Sequence, residues 1–143
     1  MRKAIYCALF MLLFSCRYNL KVPEIDINTE ITAYQKNIGK GTDTATIDLG
    51  RKLSLDKWNY LLIVHPYAQE KDIEQLHLKP YQSIKNEIEN IGSSDFYYLF
   101  IFLSDKNIVA YSKVRSSLVY PFPSTHPGSF NLIKKNEISS IFS

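Results

Sequence analysis

Side chains able to move protons, bind metals or attack electrophiles are sparse in this 143-residue chain. The three histidines, His65, His77 and His126, lie far apart, and no two stand at a ligand spacing such as H-x3-H, so no metal centre is expected. Ser124-Thr125-His126 contains nucleophile and base types, yet no G-x-S-x-G, S-x-x-K or H-E-x-x-H motif accompanies it, and a proline-bounded loop accounts for it more simply. Glu87 and Glu89 would face different sides of a helix, because neighbours on one face lie three or four residues apart. No catalytic residue and no cofactor is therefore expected. His65-Pro66-Tyr67 is the candidate small-ligand site, since it joins an apolar strand to a helix start, where open α/β sheets hold ligands. Free N–H groups at a helix start attract anions, but Glu70 and Asp72 already place negative charge there. The plainer reading makes Pro66 a strand terminator, packs the Tyr67 ring on the helix and leaves His65 at an exposed turn. Trp58, with Tyr60, Tyr97, Tyr98 and Tyr111, offers aromatic anchors of the kind interfaces use, although they sit in or beside expected strands and core packing accounts for most of them.

The two cysteines carry different information. Arg2 and Lys3 precede an apolar run from Ala4 to Phe14, and Leu13-Phe14-Ser15-Cys16 closes it. A charged start, a short apolar core and a small residue before the cut make an export signal. With Leu13, Ser15 and Cys16 in place it resembles a bacterial lipoprotein signal, departing from the usual pattern at the bulky Phe14. The resemblance covers the first sixteen residues and implies acylation of Cys16 after removal of residues 1–15. The run of about a dozen apolar residues falls short of the roughly 20 that a membrane-spanning helix needs. Cys7 would leave with the signal and Cys16 would be acylated, so neither a disulfide nor a thiolate metal site is expected.

Cleavage would leave residues 16–143, enough for one domain. The formal charge of +3 includes Arg2 and Lys3; without them 15 basic residues face 14 acidic ones, interspersed as in Glu70-Lys71-Asp72. That balance argues against nucleic-acid binding, which concentrates cations on one face.

Residues 16–43 read mainly as a lipidated tether, in which only Ile25, Ile27 and Ile31 hint at an extended piece. A flexible tether of that length would hold the domain some tens of ångströms from the bilayer. Residues 44–143 read as a single α+β domain. Thr44 to Leu49 and Asn59 to Val64 suit strands, the second stopped by Pro66. Gln69 to Leu76 suits a helix, and Tyr81, Ile84, Ile88 and Ile91 mark one face of another, punctuated by Pro80 and Gly92. Phe96 to Leu103, the turn-forming Ser104-Asp105-Lys106-Asn107 and Ile108 to Val114 form a hairpin. The expected architecture is β-β-α-α-β-β: a small mixed or antiparallel sheet of about four strands with helices on one face. Parallel pairing of the strands near 59–64 and 96–103 would require a right-handed crossover. The uninterrupted apolar strand needs cover on both sides. Its second side must be covered by chain before Trp58, by the tail after Arg115 or by a partner.

Trp58, Leu61, Ile63, Pro66-Tyr67, the Ile73 helix and the Leu99 to Tyr111 hairpin look similar to small bacterial lipoproteins of uncharacterised role. That loose likeness spans about half the chain and implies no activity. The expectation is a lipid-anchored, non-catalytic envelope protein that binds another envelope protein or supports an envelope assembly, an inhibitor or immunity role included. The alternative is an envelope enzyme or small-ligand binder at His65 and Tyr67. Arg17 after the acylated cysteine makes the outer membrane the default address in a cell with two membranes.

Overall fold

The computed structural model describes residues 21–38, 57–119 and 130–141. Its elements are α1 (Asn28–Ile38), β1 (Tyr60–Val64), α2 (Glu70–Glu74), α3 (Lys85–Gly92), β2 (Tyr97–Ser104), β3 (Asn107–Arg115) and β4 (Phe130–Lys134). Short 3-10 segments stand at Tyr81–Ser83, Ser116–Leu118 and Lys135–Ile141. Together they form an α+β fold around a four-stranded sheet of order β3-β2-β1-β4. Every pairing is antiparallel, so the parallel arrangement is ruled out for β1 and β2. The predicted strand at 44–49 lies outside the described residues. None of the described helices is long and apolar enough to cross a membrane.

β1 and β2 are buried on both faces, and their alternating side chains feed two separate cores. Leu62, Val64, Leu99 and Ile101 point to the face covered by α2 and α3, where Ile73, Ile84, Ile88 and Ile91 meet them. Leu61, Ile63, Phe100 and Phe102 point the other way. There Ile27, Ile31, Tyr34 and Trp58 cover them, joined by Val119 and Ile138. Chain from both ends thus supplies the second cover.

The stretch read as tether is in part a structural element. Ile27, Ile31 and Tyr34 recur four and three residues apart and are buried, which is the stripe of an amphipathic helix rather than a spacer. Asp26 Oδ1 accepts the Asn28 N–H at 2.9 Å and relieves one of the unpaired donors at the helix start. Glu30 in the first turn and Lys36 in the last suit the helix dipole. Only residues before α1 are extended: Ile25 N–H donates to Tyr111 O at 2.8 Å and Tyr111 N–H to Pro23 O at 3.1 Å, adding a short strip to β3.

The α3 face is as predicted, but the helix starts later. Tyr81–Ser83 forms a 3-10 turn and the α-helical stretch begins at Lys85. Gly92 is its last residue. A Cβ at Gly92 would come within 3.0 Å of the Ala68 carbonyl oxygen, so close approach to the β1–α2 turn explains the glycine.

Ile31→Ala is expected to cost about 2–5 kcal/mol of folding free energy by leaving a cavity under the sheet. Thr32→Ala, one residue along on the exposed side, should stay within about 0.5 kcal/mol. Denaturant midpoints of the two variants check this, and equal midpoints would return residues 21–38 to the role of spacer.

Candidate functional site

His65 follows β1 directly and its side chain turns inward on the same face as Leu61 and Ile63. It is 4% exposed, which corrects the expectation of an exposed turn. Its Nε2 lies 2.8 Å from Asn131 Oδ1, 66 residues away on β4. With that carbonyl oxygen as acceptor, Nε2 carries the proton of the neutral ring. The ring also stands edge-on to Tyr98 of β2, centroids 5.2 Å apart at 70°. Three adjacent strands thus enclose the imidazole. Burial disfavours the charged ring and pulls its pKa below the usual 6.5, against the opposing effect of the Asn131 hydrogen bond.

This is the geometry of a structural histidine. A general base must reach a proton on a bound substrate, and an imidazole closed in by Tyr98 and Asn131 does not meet solvent. Tyr67, two residues on, differs: it adopts φ 64° and is 55% exposed, with its N–H donated to Ile91 O of α3 at 3.2 Å. The chain therefore separates His65 from Tyr67 rather than converging them on one site. His77 is exposed with φ 52°. No group of three His, Cys, Asp or Glu converges as a metal site among the described residues. Cys16 and the Ser124-Thr125-His126 stretch lie outside them.

Trp58 belongs to the core. It is 3% exposed and packs edge-on against Phe102 with centroids 5.3 Å apart, while Lys135 Nζ stands 4.8 Å from its ring centroid. Tyr111 is buried, and Tyr60 and Tyr98 are half-buried. The exposed aromatic surface is instead Tyr67, Tyr97 and a residue the sequence reading placed inside a strand, Phe96, which is 71% exposed. Val64 pairs with Leu99, so Tyr67 beyond β1 and Phe96 before β2 both project past the same end of neighbouring strands. Phe96 O accepts the Ser116 N–H at 2.9 Å, which fixes its backbone where β3 leaves the sheet. Rings presented on a fixed backbone lose little entropy on contact with a partner and bury large apolar areas.

The opposite end of the sheet differs in chemistry. There a cleft of about 370 Å³ opens beside β3, lined by Lys21, Lys79 and Asn107 together with Val22, Pro80 and Val109.

Comparison with protein-family models, curated proteins and solved structures finds no match to this chain.

The lowered pKa of His65 fixes the sign of a pH effect. The unfolded chain binds the His65 proton from about pH 6.5 downward while the folded chain resists it, so stability is complete above that pH and falls as the solution is acidified toward the lowered native value. Denaturant midpoints at pH 7.5 and pH 5 should show a smaller acid loss in His65→Gln than in wild type. An equal loss in both would show that the imidazole is not the group responsible.

Proposed function

We propose that this chain is a lipid-anchored, non-catalytic cell-envelope protein that binds another envelope protein through the aromatic end of its sheet. Acylation at Cys16 is the anchor, and the outer membrane is the address in a cell with two membranes. The observation that carries the binding reading is the placement of Tyr67, Phe96 and Tyr97, all exposed, beyond one end of β1 and β2. The signal formed by Arg2, Lys3, the apolar run and Cys16 supports the anchor. Inhibition of, or immunity to, a secreted toxin falls within this reading. His65 supports a small-ligand or enzymatic role poorly, because Asn131 and Tyr98 already occupy its surroundings.

Mass spectrometry of the mature protein should find acyl chains on Cys16, and Cys16→Ser should move the protein out of the membrane fraction. Crosslinking in intact envelopes with the native protein as bait should recover one partner reproducibly. Phe96→Ser combined with Tyr67→Ser should reduce that recovery about tenfold or more, since anchor side chains of this kind each contribute above roughly 1 kcal/mol. Undiminished recovery from the double variant would move the binding surface elsewhere.

A further inference from the structure

Lys21, the first described residue, follows Cys16 by five positions. Five residues reach at most about 18 Å at full extension, whatever their conformation. With residues 21–38 packed in the fold, an acylated Cys16 holds Lys21 within that distance of the lipid surface. Which end of the molecule Lys21 occupies therefore decides what faces the bilayer.

It occupies the hairpin end. The strip leading from Lys21 to Ile25 bridges in parallel to β3 at Glu24 and Tyr111, so Lys21 lies toward Asn107, where β3 begins. Lys79 bridges to Asn107 and donates its N–H to Lys106 O at 2.9 Å. Lys134 pairs with Tyr60 at the start of β1, and Lys135 N–H donates to Asn59 O at 3.0 Å. Asn59 in turn donates to Asp105 in the hairpin turn, with Lys57 two residues before it. Lys21, Lys57, Lys79, Lys106, Lys134 and Lys135 are thus brought to one end of the sheet, from five separate parts of the sequence. Among the described residues Asp105 stands with them in the hairpin turn, and Glu137 accepts the Lys134 N–H at 3.3 Å. Among the described residues none of these six lysines forms an ion pair, whereas Lys85 and Lys113 elsewhere do. The near-neutral total charge conceals this segregation.

A β-bulge adds a shape to the charge. Phe102 pairs with Ala110 and Leu103 with Ile108, leaving Val109 as the extra residue. The bulge lies where the β3 edge is covered by Lys79 on one side and Pro23 on the other, and the cleft opens there. A lining that combines Lys21 and Lys79 with Val22, Pro80 and Val109 suits a phosphate joined to a glycerol body.

We propose that the lysine end of the sheet seats on anionic phospholipid headgroups of the membrane that holds Cys16, with one headgroup phosphate between Lys21 and Lys79. This rests on the lipid-anchor reading above. It also sets the molecule upright. The nine residues of β3, at about 3.4 Å each, carry the opposite end about 30 Å further from the lipid, where Tyr67, Phe96 and Tyr97 face an incoming partner.

The acylated full-length protein is reconstituted in vesicles of phosphatidylcholine alone and in vesicles with roughly a third phosphatidylglycerol, and the rate of lysine acetylation is read by mass spectrometry. Lysines near an anionic surface gain roughly fivefold each in local partitioning. Lys21, Lys79 and Lys106 should therefore react about fivefold or more slowly on the anionic vesicles, relative to Lys113 near the far end of β3, and raised salt should erase the difference. Lys79→Glu with Lys106→Glu should abolish the protection of Lys21 while leaving the thermal midpoint unchanged. Equal rates on both vesicle types for a protein shown to be acylated would overturn the docking and leave the anchor standing, as would protection of Lys21 that survives in the double variant. Absence of acyl mass on Cys16 would remove the anchor and this proposal together.

Discussion

Leu61 to Val64 in β1 and Leu99 to Phe102 in β2 are withdrawn completely from water, and their antiparallel pairing is the constraint from which the rest of the molecule follows. A strand pair apolar on both faces cannot form one wall of a two-layer domain, since one face would remain wet. Each fully buried leucine, isoleucine, valine or phenylalanine is worth about 1.5–3 kcal/mol relative to exposure, so leaving either face open would forfeit an amount comparable with the whole stability typical of a domain. The chain answers by recruiting both of its flanks. α2 and α3 cover one face; α1, Trp58, Val119 and Ile138 cover the other.

That demand was legible in the sequence because it is written in contiguous residues. The run from Phe96 to Leu103 announced a doubly buried strand, and Tyr81, Ile84, Ile88 and Ile91 announced the face of the helix that packs on it. What failed depended on partners distant along the chain. The stripe of α1 amounts to Ile27, Ile31 and Tyr34 among threonines and charged residues, and Ile25 with Ile27 imitates the alternation of a strand. Only the uncovered second face makes a helix the better solution. His65 looked exposed because nothing near it in sequence reports Asn131, which reaches it from β4. Phe96 looked internal because an aromatic residue adjoining an apolar run carries no sign that the sheet ends one residue later. The direction of β2 was equally invisible, since two short helices can return the chain to either side of β1.

Antiparallel order leaves β3 and β4 as outer strands, and the two are treated differently. β3 is covered on either side of the cleft at Val109. Lys79 pairs with it at Asn107, the Pro23–Ile25 strip pairs with it at Tyr111, and the side chain of Asn28 finishes the row. The Asn28 amide donates to Lys113 O and accepts from Arg115 N–H, both at 3.0 Å, doing with a side chain what a neighbouring peptide group would do. Lys113, between Glu24 and Glu87 at 3.3 Å from each, ties the strip and α3 to the same edge. An outer strand whose donors and acceptors are already engaged offers no template for another chain.

The strip has a mechanical meaning as well. Pro23 to Ile25 runs in the same direction as β3, and its two hydrogen bonds to Tyr111 lie across that direction. A pull on Lys21 directed along the strand axis would load both bonds and the helix behind them together. Peeling would break them one after another at low force; sliding requires that they fail at once. Along that axis the Pro23–Ile25 strip resists tension by shear rather than by peeling.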